Sequence, residues 1–158
     1  MTNTREGSRP KKLFTVELAN KTLPLVRLIA RDIVRLTSEL DERRERLEHL
    51  TAGRQLTSDD PYTEELTEVR RQLDRDAAQL QECFGELRNL GVEPKGRGEG
   101  LVDFPAMIDG RLAYLCWKLG EPDVRYWHEA DAETGDRRLL AGSTALQDAT
   151  SGNESLGA

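Results

Sequence analysis

Three side chains in one part of the sequence have the chemistry of a reactive or metal-binding site: Asp103, Cys116 and His128. A thiol beside an imidazole and a carboxylate provides the residue types of a cysteine nucleophile with its base. The same types are also ligands for zinc or iron. Zinc takes three or four protein ligands, so Glu121 or Glu129 could complete such a set. The sequence has no CxxC or HExxH motif, and ordinary packing of a small cysteine and a half-buried histidine is the competing interpretation.

A predicted β-hairpin must position two of these side chains. Asp109 and Gly110 separate LVDFPAMI from RLAYLCWK, which predicts a two-residue hairpin turn. Counting outward from that turn places Asp103 opposite Cys116. Pro105 cannot donate a hydrogen bond to a neighbouring strand, so we expect its strand to lie at an edge of the sheet. The other face carries the pairs that would rest on helices, namely Ile108 with Arg111, Ala106 with Ala113, Phe104 with Leu115 and Val102 with Trp117.

The position of His128 depends on the turn LGEPDV, which precedes a third predicted strand, VRYWHE. A three-residue loop at 121–123 would place His128 opposite Cys116, so that Asp103, Cys116 and His128 form a row on one face. A four-residue loop would move His128 to the opposite face and put Trp127 in its place.

Aromatic side chains concentrate in the same stretch. Trp117, Tyr126 and Trp127 are candidate anchors for a protein partner, because each covers a large area with few rotamers. Helices can cover only one face of a three-stranded sheet. The other face therefore needs a ligand, a second copy of the chain, or the segment around Arg138 to Leu140 as its cover.

The N-terminal half predicts helices. Residues 14–24 are predicted to form a short helix with Thr15 as N-cap. Pro24 breaks or kinks this helix, and it also suits the first position of a second, longer helix. Two apolar stripes of heptad spacing then predict an antiparallel, coiled-coil-like hairpin over 24–91, ending at Gly91. The stripes consist of Val26, Ile29, Ile33, Leu36, Leu40, Leu47 and Leu50 in the first helix, and of Leu66, Val69, Leu73, Leu80, Cys83, Leu87 and Leu90 in the second.

One charged residue interrupts each stripe, Arg43 in the first helix and Asp76 in the second. The antiparallel register that aligns the leucines also brings these two residues opposite each other. We therefore predict an Arg43–Asp76 ion pair that fixes the register, because a slipped hairpin would leave each charge against leucine.

Composition and loop-forming residues indicate the domain boundaries and the class of protein. The chain of 158 residues predicts one α+β domain over 13–140, with a β-meander at 100–130 and disordered tails at 1–12 and 141–158. The glycines of VEPKGRGEG predict a flexible connector. A net charge of −6 argues against nucleic-acid binding. We expect a cytoplasmic protein, because no apolar run is long enough for a membrane span and the N-terminus lacks a signal peptide. Cys83 lies in a helical pattern and Cys116 in a strand pattern, which predicts two free thiols in a reducing compartment.

The motifs FTVELANKTLPLV, GLVDFPA and YLCWKLGEPDVRYWHE, followed by DRRLL, together resemble an uncharacterised bacterial family, domain-of-unknown-function family 2203. The resemblance covers about residues 13–140. It implies a small cytoplasmic bacterial protein and carries no known reaction or catalytic residues.

The predicted architecture is a long helical hairpin with a short N-terminal helix and a small three-stranded antiparallel sheet. The favoured function is a non-enzymatic interaction or scaffold module that binds a protein partner or forms a homodimer. The alternative is a small enzyme or metal-binding protein centred on Asp103, Cys116 and His128.

Overall fold

The computed structural model describes residues 12–53, 59–131 and 136–140, and these form an α+β fold. Helix α1 runs over Val16–Thr51 and helix α2 over Thr63–Asn89. The strands are β1 (Glu93–Lys95), β2 (Leu101–Ile108), β3 (Arg111–Lys118), β4 (Tyr126–Glu129) and β5 (Arg138–Leu139). They form one antiparallel sheet in the order β1-β2-β3-β4-β5. Apart from Lys12, the two predicted tails lie outside the described residues.

The prediction of a separate short N-terminal helix is wrong, because α1 continues through Pro24 as one helix of 36 residues. The Thr15 side chain accepts a hydrogen bond from the Leu18 N–H at 3.1 Å and caps the helix, as the sequence indicated. Proline removes one intrahelical hydrogen bond. Leu23 and Val26, on either side of it, are both buried, and this burial offsets the lost bond.

Helix α2 ends in a Schellman motif around Gly91, which has a φ of 83°. The Gly91 N–H donates to the Arg88 carbonyl at 2.9 Å, and the Val92 N–H donates to the Leu87 carbonyl at 2.9 Å. Leu87 and Val92 are completely buried, so the chain turns sharply from the helix into the sheet.

The two helices pack together, and the Arg43–Asp76 contact predicted from the sequence is present. Asp76 is almost fully buried, and it also accepts a hydrogen bond from Gln72 Nε2 at 3.1 Å. Arg46 forms a second ion pair with Glu65. This pair follows the Arg43–Asp76 pair along α1 and precedes it along α2, so the two helices are antiparallel. Coiled-coil packing of the seam stays a prediction.

Replacing Arg43 with methionine should cost about 2 kcal/mol of stability, because it leaves the buried Asp76 carboxylate with one hydrogen-bond partner fewer. The double variant Arg43→Met, Asp76→Leu should recover most of that loss, since no buried charge remains. Urea unfolding of the three proteins measures both values. A double variant less stable than Arg43→Met would contradict the argument.

The sheet has five strands, so the predicted three-stranded sheet is too small. The register of β2 with β3 matches the prediction, with Asp103 opposite Cys116, Phe104 opposite Leu115, and Asp109 and Gly110 in the turn. Part of the predicted flexible connector forms β1, which pairs Glu93 with Asp103. The segment after β4 adds the short strand β5.

The prediction that Pro105 marks an edge strand is also wrong, because β2 lies between β1 and β3. Strand β1 pairs only with residues 101–103, so Pro105 lies beyond its end. There the Pro105 carbonyl accepts a hydrogen bond from the Phe14 N–H at 2.6 Å. The sheet tolerates this proline because no strand requires its missing donor.

The core lies between the helices and one face of the sheet. Val102, Phe104, Leu115 and Trp117 on that face are buried together with residues of α1 and α2. Alternation along the strands then directs Asp103, Cys116 and His128 to the opposite face. Neither helix of the described residues has the length and hydrophobicity needed to cross a bilayer.

Candidate functional site

Three adjacent strands bring the predicted site residues together. Asp103 lies on β2, Cys116 on β3 and His128 on β4. One ligand atom from each, a carboxylate oxygen, the thiol sulfur and a ring nitrogen, lies within 4.8 Å of the others. The three residues are 0%, 0% and 4% exposed. We call this cluster the buried triad.

The register of β4 differs from both alternatives that the sequence left open. Cys116 pairs with Tyr126, and His128 pairs with Tyr114. His128 is therefore not directly opposite Cys116, but it lies on the same face, one diagonal step away. Its ring stacks on that of Tyr114 with centroids 5.5 Å apart.

The hydrogen bonds of His128 determine which of its nitrogens carries a proton. Nδ1 lies 2.8 Å from the Glu129 carbonyl oxygen, which can only accept, so Nδ1 is the donor. Nε2 lies 2.9 Å from Asp103 Oδ2. A carboxylate oxygen and an unprotonated ring nitrogen at that distance repel unless a positive charge lies between them. That position therefore holds either a proton or a metal ion.

Asp103 has an unused coordination atom. Its Oδ1 is buried and has no hydrogen-bond partner among the described residues. Burial raises the pKa of Asp103, and His128 opposes part of that rise through its charge and its hydrogen bond. An unpaired buried carboxylate oxygen is costly, and a cation at the triad would relieve that cost.

Cys116 is not an activated nucleophile in this setting. Burial raises the pKa of its thiol to about 12, the charge of Asp103 adds to the rise, and Arg137 opposes it. At pH 7 a thiol with that pKa is almost entirely protonated. A bound metal ion is the usual means of obtaining a thiolate in such surroundings.

Comparison with known protein families gives a match over most of the chain. A family model described as an uncharacterized conserved protein, DUF2203, matches residues 12–140. The chain belongs to this family. No curated protein and no solved structure matches the chain.

In this DUF2203 member the two candidate glutamates do not join the triad. Glu129 pairs with Ala113, and alternation along β4 directs its side chain to the face opposite His128. Glu121 accepts hydrogen bonds from the Lys118 N–H at 2.7 Å and from Arg137 Nη2 at 2.6 Å. Proximity in the chain suggested both residues, but in the described part of the chain the ligand atoms that converge here come from Asp103, Cys116 and His128.

The three candidate anchors have different surroundings. Trp117 is completely buried, and its Nε1 donates to the Glu121 carbonyl at 3.0 Å, so it cannot anchor a partner. Trp127 packs partly against the core and carries the Arg138 guanidinium over its ring at 5.4 Å. Tyr126 carries Arg137 at 4.1 Å.

Sequence reasoning missed two residues that lie beside the buried triad, Tyr114 and Arg137. Tyr114 covers the His128 ring, and alternation on β3 places it on the same face as Cys116. Arg137 Nη2 lies 3.5 Å from the Cys116 carbonyl oxygen. The motif DRRLL contained the signal for Arg137, but only the spatial neighbours of its guanidinium show which arginine reaches the triad.

Proposed function

We propose that the protein binds one zinc ion at the buried triad of Asp103, Cys116 and His128. The observation that carries this proposal is the convergence of three different ligand atoms within 4.8 Å at a fully buried position. The hydrogen bond from His128 Nδ1 to the Glu129 carbonyl supports it, because a metal-binding histidine usually donates its other N–H in this way. That bond leaves Nε2 free to coordinate.

The choice of zinc rests on ligand type and charge. A thiolate, an imidazole and a carboxylate together suit zinc better than magnesium or calcium, which prefer oxygen ligands. Zinc also binds such ligands more tightly than ferrous iron, the other metal that the sequence suggested. One thiolate and one carboxylate neutralise a divalent ion, so the loaded site buries no net charge.

We propose that the triad binds zinc and does not catalyse a reaction. A thiol with a pKa of about 12 is a poor nucleophile at neutral pH, and the triad is buried from solvent. Three protein ligands leave a fourth position for water or another donor.

The protein's two cysteines are free and buried, which supports a location in the reducing cytoplasm.

Metal analysis of protein purified without chelator or affinity tag tests the proposal. We expect about one zinc per chain in the wild type and less than about a tenth of that in Asp103→Asn and His128→Gln, because two ligands cannot hold the ion. His49→Gln is the matched control, since His49 is the other histidine in the sequence and lies exposed in the last turn of α1. Equal zinc in the wild type and His128→Gln, or none in the wild type after zinc is supplied, would exclude the site.

The interaction or scaffold role favoured by the sequence stays a prediction. Trp117 no longer supports it, because it is a core residue. Leu25 and Leu28 on α1 are 49% and 58% exposed, which leaves apolar surface on the helices for a partner or a second copy. Zinc binding and such a role are compatible, since the triad lies on the sheet face away from the helices.

A further inference from the structure

The segment of residues 136–140, which we call the strap, lies against the buried triad. Arg137 stacks on Tyr126, the residue that pairs with Cys116, with its guanidinium carbon 4.1 Å from the ring centroid. The same guanidinium reaches the Cys116 carbonyl at 3.5 Å. Arg137 therefore lies next to one of the three proposed ligands.

Glu121 holds Arg137 in this position. Arg137 Nη2 donates to Glu121 Oε1 at 2.6 Å, and the two side chains are only 22% and 20% exposed. Glu121 is itself fixed, because the same oxygen accepts the Lys118 N–H at 2.7 Å. The strap thus docks onto a rigid acceptor in the turn between β3 and β4.

Among the described residues, the other attachments of the strap lie at the edge of the sheet and at Leu140. Its strand β5 is two residues long and pairs only with Tyr126 and Trp127 at the edge of the sheet. The Leu140 N–H donates to the Arg125 carbonyl at 2.7 Å, and the Leu140 side chain is buried. The docked state also has a cost, since Arg137 Nε is buried without a hydrogen-bond partner among the described residues.

Tyr114, which stacks on His128 of the triad, is much more firmly held than the strap. Tyr114 stacks on His128 from the middle of β3, an eight-residue strand that pairs with β2 and β4. Moving Tyr114 would break the centre of the sheet, whereas moving the strap breaks two residue pairs at its edge and withdraws Leu140 from the core. Opening at a sheet edge requires far less free energy than opening at its centre.

We propose that the strap is the gate through which zinc enters and leaves the triad, with the Arg137–Glu121 ion pair as its latch. This inference rests on the proposed zinc site. Because the ligands are completely covered, zinc can exchange only when part of their cover moves away. The latch then controls the rate of release, while the three ligands control the stoichiometry.

The test measures zinc release from the loaded full-length protein into excess chelator, followed with a zinc-sensitive dye. We expect Arg137→Ala to bind one zinc and to release it about tenfold faster than the wild type, because the strap loses its charge-assisted bond. Glu121→Gln removes the latch from the other side, keeps an acceptor for the Lys118 N–H, and should accelerate release similarly. If Arg137→Ala does not fold, Glu121→Gln still tests whether the Arg137–Glu121 ion pair controls zinc release.

Arg138→Ala is the matched control. Arg138 belongs to the same strap, but it lies over Trp127 on the other side of the sheet, so its loss should leave the release rate unchanged. Release from Arg137→Ala and Glu121→Gln at the wild-type rate would overturn the gate while leaving the zinc site intact. Equal acceleration in Arg138→Ala would also overturn it, since the latch would then have no special role. A wild type that binds no zinc would remove both proposals.

Discussion

Zinc-loaded protein should be more stable than chelator-treated protein by about 4 kcal/mol when free zinc is about 1,000 times its dissociation constant. The three proposed ligands lie on three different strands, so only the folded chain brings them together. Binding to the native state alone adds its free energy to that of unfolding. For a chain of this size the midpoint of thermal unfolding should rise by roughly 10 °C.

The two cysteines provide the control for this measurement. Cys116→Ser should lose the zinc-dependent gain, because it removes a ligand of the buried triad. Cys83→Ser should keep it, since Cys83 belongs to the helical part of the core. Chemical unfolding followed by circular dichroism, with and without zinc, gives the zinc-dependent difference for each of the three proteins. A gain of the same size in wild type and Cys116→Ser would show that zinc acts elsewhere.

Sequence reasoning succeeded where a short turn fixes the geometry. Asp109 and Gly110 favour a two-residue connection, and this connection determines every pair between β2 and β3. The opposition of Asp103 and Cys116 follows directly from that turn.

The sequence left both the face and the partner of His128 open, because both depend on the length of the connection before the third strand. The connection between Lys118 and Tyr126 is longer than either loop considered, so both predicted registers were wrong. The actual register differs from the three-residue alternative by two residues. Because side chains alternate with a period of two, such an error keeps His128 on the face of Cys116 and changes only the residue opposite it.

Residues outside the strands were the least predictable. Glu121 had a carboxylate at a suitable place in the chain, but it pairs with Arg137. Arg137 follows residues in which the sequence shows no periodicity, so no register argument could reach it. The contact between the two depends on how the strap returns to the sheet, which is a tertiary property.

The structure of the segment VEPKGRGEG also depends on tertiary contacts that the sequence did not reveal. The spacing of its glycines predicted flexibility, yet the segment forms β1 and a turn that packs against α1. Gly98 has a φ of 95° and lies directly against Thr37 of α1. The glycine is there because the backbone approaches the helix too closely for a side chain.

Gly98→Ala should therefore destabilise the protein by about 3 kcal/mol or more, through the unfavourable φ and the clash together. A Cβ atom at this position would lie 2.2 Å from Thr37 Oγ1, and the side chain is attached to a helix that cannot easily shift. Gly110→Ala is the matched control. Gly110 also has a positive φ, of 75°, but its Cβ would meet nothing within 4 Å, so its cost should be only about 1 kcal/mol.

A double-mutant cycle separates the clash from the backbone effect. Thr37→Ala removes two of the three atoms that the new Cβ would meet, so Gly98→Ala should cost less in that background. The turn holds β1 beside β2, where Glu93 pairs with Asp103, so its displacement should also weaken zinc binding at the triad. Equal costs for Gly98→Ala and Gly110→Ala would mean that the turn is as free as the sequence first suggested. A larger cost at Gly98, relieved by Thr37→Ala, would establish the turn as a fixed support for the strand that carries Asp103.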